Sequence, residues 1–202
     1  MRKFEITGYT IFIVSLFLKF LHLPMNTILT IVGVMILLVG YTVSFFAGRM
    51  EKEKALSGIA IGFWLAFFVF VLKFWPGQII ALAVALVMLA IEIIYRQKNN
   101  KGFDLHAKIL LVAVILSIAT FFTPADTRYY YMSIKFHRDL SNDYITMDKY
   151  SWFLYRSGKM DEAEKFSDSA VKSAMRNNDI DFAKIARDHQ DKIKTKTWTS
   201  FN

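Results

Sequence analysis

Cysteine is absent from this 202-residue chain. Disulfides, zinc–thiolate sites, iron–sulfur clusters and cysteine nucleophiles are excluded with it. Charge is scarce too: 21% of residues are charged against 54% hydrophobic, more apolar and less charged than a soluble domain of this size. The scarcity is uneven. Residues 1–124 hold 11 Lys/Arg and only 5 Asp/Glu, whereas residues 125–202 hold 14 and 12. A membrane domain with basic edges is expected over 1–124, and a charge-balanced, soluble helical domain over 125–202.

Recognisable chemistry is missing as well. No Gly-x-Ser-x-Gly, phosphate-binding loop, dinucleotide fingerprint or His-Glu-x-x-His occurs. His106, His137 and His189 are scattered without metal-ligand spacing. The expectation is a non-enzymatic protein with no catalytic residue, cofactor, metal or identified small-molecule substrate. The net charge of +8 lies at the ends of apolar runs, where it sets topology and meets anionic lipid; no basic stripe or stacking platform points to nucleic acid. Arg2 and Lys3 precede the first apolar run as in a signal peptide, but no small-x-small cleavage site follows. The run reads as an uncleaved first membrane helix.

Five runs approach the ~20 mostly apolar residues that a spanning helix needs. They cover residues 7–23, 26–47, 55–74, 77–95 and 107–123. The first and fifth are the shortest, and a four-span alternative lays the first run in the interface. Arg2, Lys3, Arg49, Lys52, Lys54, Arg96, Lys98, Lys101 and Lys108 flank alternate connections, and the other two carry only Lys19 and Lys73. Under the positive-inside rule the N-terminus is then cytoplasmic, and five spans place the C-terminal domain outside, in the periplasm of a bacterial inner membrane.

Two connections share a motif. Leu18-Lys19-Phe20-Leu21-His22-Leu23-Pro24 and Leu72-Lys73-Phe74-Trp75-Pro76 each put a lysine, an aromatic and a proline between apolar runs. They read as tight turns in a duplicated helical hairpin. Lys19 and Lys73 either snorkel to the headgroups or form buried functional cations, and His22 shares a helix face with Lys19. Glu92 is the acid well inside a candidate span, a functional hypothesis by default. Arg96 follows it at the i+4 ion-pair spacing, so a local pair near the inner face competes with a proton-carrying site. Gly33, Gly40, Gly58 and Gly62 mark faces where helices can approach closely.

The segment Leu16-Phe17-Leu18-Lys19-Phe20-Leu21-His22-Leu23-Pro24 resembles the Phe-Lys-x-x-His-x-Pro hairpin of gliding-motility and type IX secretion motor membrane subunits. That resemblance implies a two-helix hairpin in which a lysine and a second-helix glutamate harness proton flow. Lys19 and His22 match the first-helix pattern. No glutamate stands near Tyr41, and in the second copy Lys73 matches, the histidine is missing and Glu92 lies about a turn too deep. Farther on, residues 144–177 resemble one tetratricopeptide repeat, with Gly158 at the turn, Ser151 small on the first helix, and Ala163 and Ala170 small on the second. Such a hairpin needs neighbours, which residues 127–140 and 179–194 can supply.

The expected architecture is therefore all-α: a polytopic membrane protein of about five transmembrane helices, two repeated hairpins plus one, with a soluble tetratricopeptide-like domain. Its expected role is an accessory or scaffold subunit in a motor or secretion complex of the envelope. It would contact membrane lipid and bind a protein partner through Tyr150, Trp152, Tyr155, Arg156 and Lys159. An ion-conducting or motor-type subunit using Lys19, Lys73 and Glu92, or a small transporter, is the alternative.

Overall fold

The computed structural model describes residues 3–20, 26–135 and 137–200, and among them it contains helices and no strand. In chain order the helices are α1 (Lys3–Phe20), α2 (Asn26–Phe46), α3 (Lys52–Leu72), α4 (Gln78–Lys98), α5 (Leu105–Phe122), α6 (Ala125–Tyr129), α7 (Tyr144–Arg156), α8 (Met160–Arg176) and α9 (Ile180–Lys194), with a π-helical turn over Tyr130–Ile134. Two compact units result, one built from α1–α5 and the other from α6–α9.

Four helices, α2 to α5, are long and apolar enough to cross a membrane. A 21-residue helix such as α2 is about 31 Å long, close to the thickness of a bilayer's hydrocarbon core. By contrast, α1 carries Lys3, Glu5 and Lys19 within its 18 residues, and its charge keeps it out of that set of four. The centre of the first unit is α3, packed against α2, α4 and α5 and 72% buried along its apolar stretch. Trp64, Phe67, Ile61 and Val71 of α3 are fully buried there. The outer surface stays greasy, with Ile79, Ile80, Val87 and Ile94 of α4 all exposed. Where water is the solvent, such a helix would be amphipathic; an apolar outer face suits lipid.

Close approach between helices uses the glycines flagged above. A side chain at Gly33 of α2 would place its Cβ 2.9 Å from the backbone nitrogen of Phe12 in α1. Gly58 of α3 lies directly beneath the Tyr41 ring of α2, leaving no room for a methyl group. Helix ends follow one geometry. At Gly48, Phe74, Asn100, Gly158, Asn178 and Lys196 the chain turns left-handed, with φ between 50° and 77°. In each, the following amide reaches back to a carbonyl five residues earlier, as from Arg49 to Ser44 at 3.0 Å and from Trp75 to Phe70 at 3.0 Å. This arrangement satisfies the last carbonyls of a helix. Lys73-Phe74-Trp75-Pro76 forms the turn between α3 and α4, while much of the first motif copy, His22 included, lies outside the described residues.

In the second unit α8 packs against both α7 and α9. Fully buried Ser151, Ala163, Ala170 and Ala174 keep these helices close. Asp143 caps α7 by accepting from the Thr146 amide at 2.9 Å, and Asp179 caps α9 through the Phe182 amide at 3.0 Å. Tyr129, the first of three consecutive tyrosines, turns inward and is buried. It stacks on Tyr150 with ring centres 6.0 Å apart and packs on Phe153. Tyr130 and Tyr131, which open the π-helical turn, stay exposed.

Candidate functional site

Polar side chains within the first unit gather at its two ends. At one end the last turns of α4 meet the first turns of α3 and α5. Glu92 and Arg96, one helical turn apart, form a buried ion pair. Ser57 of α3 completes the arrangement: its hydroxyl lies 2.7 Å from Glu92 Oε1 and accepts from Arg96 Nη2 at 2.8 Å. Arg96 also donates to Asp104 Oδ1 at 2.9 Å and to the Gly102 carbonyl at 2.5 Å. Asp104 in turn accepts the Ala107 amide at 2.9 Å at the start of α5. Burial alone would raise the Asp104 carboxyl, but the Ala107 amide and the Arg96 guanidinium outweigh it and hold the group below the usual carboxylate range. Beside them, Lys101 pairs with Glu53 at 2.8 Å. One guanidinium thereby ties three helices together.

Glu5 forms a second cluster at the same end. Its side chain is 1% exposed, with His106 Nε2 at 3.3 Å. The His106 ring meets Tyr41 edge-on, and the hydroxyls of Tyr41 and Tyr9 are 3.3 Å apart. A cavity of about 710 Å³ opens beside Glu5 and His106, with Arg49, Glu51 and Lys54 around it. Glu5 fell outside the sequence-based span because hydropathy rises only after it. Its signal was spacing: among the described residues of α1, Glu5, Gly8, Phe12 and Ser15 are buried and recur at intervals of three and four.

Lys19 and Lys73 lie at the opposite end, within electrostatic range of one another. Lys73 donates to Asn26 Oδ1 at 2.8 Å and to Thr27 Oγ1 at 2.6 Å. Glu92 is not with them: it stands 14 residues along α4 from Gln78, roughly 21 Å at 1.5 Å per residue.

Of the five residues expected to face a partner, Tyr150 is 5% exposed and part of the second unit's interior. Trp152 and Tyr155 are half-buried beneath Trp198, at 4.9 and 6.1 Å between ring centres. Arg156 is exposed and lies over the Trp152 ring. Lys159 pairs at 2.6 Å with Asp126, which also accepts from Ser157 at 2.8 Å. Burial of Asp126 opposes its ionisation, yet Lys159 and Ser157 hold its carboxyl below the usual range. Among the described residues no group of three or more His, Asp or Glu is placed to hold a metal ion. No family model, curated protein or solved structure matches the chain.

Proposed function

We propose that this protein is a non-enzymatic accessory or scaffold subunit of a bacterial inner membrane, anchored by α1–α5. In this reading α6–α9 form a soluble, tetratricopeptide-like docking unit that binds another protein of an envelope motor or secretion complex. The observation that carries the proposal is the state of Glu92. An acid poised for ion transfer needs an open partner or path, whereas Glu92 is held by Arg96 and Ser57 in a network that staples α3, α4 and α5. Its chemistry is that of a structural joint.

Topology rests on charge. Lys3, Arg49, Lys52, Lys54, Arg96, Lys98, Lys101 and Lys108 mark one end of the bundle, against Lys19 and Lys73 at the other. The first end is assigned to the cytoplasm. With α1 counted as a span, the second unit is periplasmic. The motor or secretion setting draws only on the likeness of the Lys19–Pro24 motif to motor subunits. The fold supports docking by setting three helices in series, α7 to α9, with similar turns at Gly158 and Asn178.

Purification of the tagged protein from native membranes in mild detergent tests this reading. A stoichiometric envelope protein, retained through size exclusion and identified by mass spectrometry, is the expected result. A clean particle without a partner would overturn the scaffold reading and favour the alternative of ion transfer or transport.

A further inference from the structure

Backbone hydrogen bonds from Thr195, Lys196 and Thr197 close the end of α9, and the segment then buries one side chain. Between Thr195 and Ser200 only Trp198 is buried, at 3% exposure, and its neighbours on both sides are exposed. The indole enters a socket of three rings. It stacks on His189 with ring centres 4.4 Å apart and planes 21° apart, and packs on Trp152 and Tyr155. The socket is built from below. The fully buried Asp148 holds His189 Nδ1 at 2.9 Å, which fixes the imidazole plane that receives the indole. Arg156 lies over Trp152, its guanidinium 5.3 Å from the ring centre. Aromatic anchors in a desolvated pocket, ringed by residues that contribute little, are how peptide-binding surfaces concentrate their affinity.

We propose that this socket is the peptide-docking site of the second unit, and that Trp198 occupies it in cis as a stand-in for the partner. The partner is then a segment presenting a tryptophan, because the chain's own occupant is an indole and no other residue from Thr195 to Ser200 is buried. The inference rests on the docking role proposed above and names its partner chemistry. Because the cis indole must leave first, the apparent affinity for a partner is reduced by the fraction of molecules in which the socket is vacant. The anchor that fills the site also restrains it.

The test uses the full chain in detergent and a labelled peptide copying Lys194–Ser200. Trp198→Ala is expected to bind this peptide at least about tenfold more tightly than the unmodified chain. A peptide with alanine for tryptophan should not bind, and adding Trp152→Ala should abolish binding. In the unmodified chain, excess peptide should accelerate amide hydrogen exchange across residues 195–200 as the native segment is displaced. This second measurement does not depend on the variant's folding. Absence of both peptide binding and displacement would overturn the proposal and leave Trp198 a packing residue. Envelope-partner retention that is unchanged by Trp198→Ala would also overturn it while leaving the scaffold reading intact. Peptide binding by a chain that purifies without a partner would support the socket and count against the scaffold.

Discussion

Glu92 is the residue on which an anchor and an ion-transfer site differ. Removing one member of a buried ion pair leaves its partner's charge uncompensated, typically at a cost of 3–5 kcal/mol, whereas removing both costs less. Glu92→Gln is therefore expected to lower the stability of the first unit by about 3 kcal/mol. Adding Arg96→Gln should restore part of the loss, as read by thermal denaturation in detergent. An equal loss in the single and double variants would contradict the joint. Spacing alone made the pair legible, since Glu92 and Arg96 are four apart on one helix. Ser57 and Asp104 were not legible, because they arrive from other elements through tertiary packing. Glu5 shows the reverse failure: its helical spacing was present, but a hydropathy window starting at Thr7 left it out.

Single glycines set the limits of whole elements. Gly33 gives α1 access to the α2 backbone, with Phe12 nitrogen 2.9 Å from where a Cβ would stand. Gly33→Leu should push the helices apart and cost about 1–3 kcal/mol, the usual range for overpacking. A loss of α1 protection in hydrogen exchange would accompany it, and unchanged protection would refute the contact. Gly158 sits at φ 77° in the α7–α8 turn. Gly158→Ala should destabilise the second unit by about 1–2 kcal/mol, because L residues resist that conformation. Both turns, Lys73–Pro76 and Gly158, could be read from the sequence because local chemistry dictates them. The burial of Tyr129 could not, since it depends on Tyr150 and Phe153 arriving from α7.

Helix ends in the second unit also carry a pH dependence. The Phe182 amide, with the Tyr144 hydroxyl, lowers the Asp179 carboxyl from 3.8, and Asp126 is lowered by Lys159 and Ser157 against the effect of burial. Asp143 is likewise depressed, with the Thr146 amide and His137 overcoming burial. A carboxylate whose folded pKa lies below its unfolded value contributes stability that is fully present above the unfolded value and lost as pH falls through the folded one. These three carboxylates should therefore contribute fully from pH 7 to about 5, and their contribution should be lost below about 4. Circular dichroism melts across that range check the prediction, and a loss centred near pH 6 would contradict it.

At the scale of the whole molecule, the four apolar helices and the basic bias of one bundle end were legible in the sequence because both are compositional. The bonding of Lys73 to Asn26 and Thr27, and the placement of Trp198 on Trp152, were not, since each joins residues more than forty positions apart. The absence of native cysteine makes topology simple to read. Ser200→Cys should react with a membrane-impermeant thiol reagent once the outer membrane is permeabilised, and labelling only after inner-membrane lysis would reverse the assignment.

The claim that the bundle anchors while the second unit docks is tested most directly by photo-crosslinking in intact cells. A photoreactive residue would replace exposed Arg156 on α7 in one strain and exposed Ile80 on α4 in another. The account predicts a discrete protein adduct from position 156 and lipid adducts from position 80. A protein adduct from position 80 with none from position 156 would contradict it.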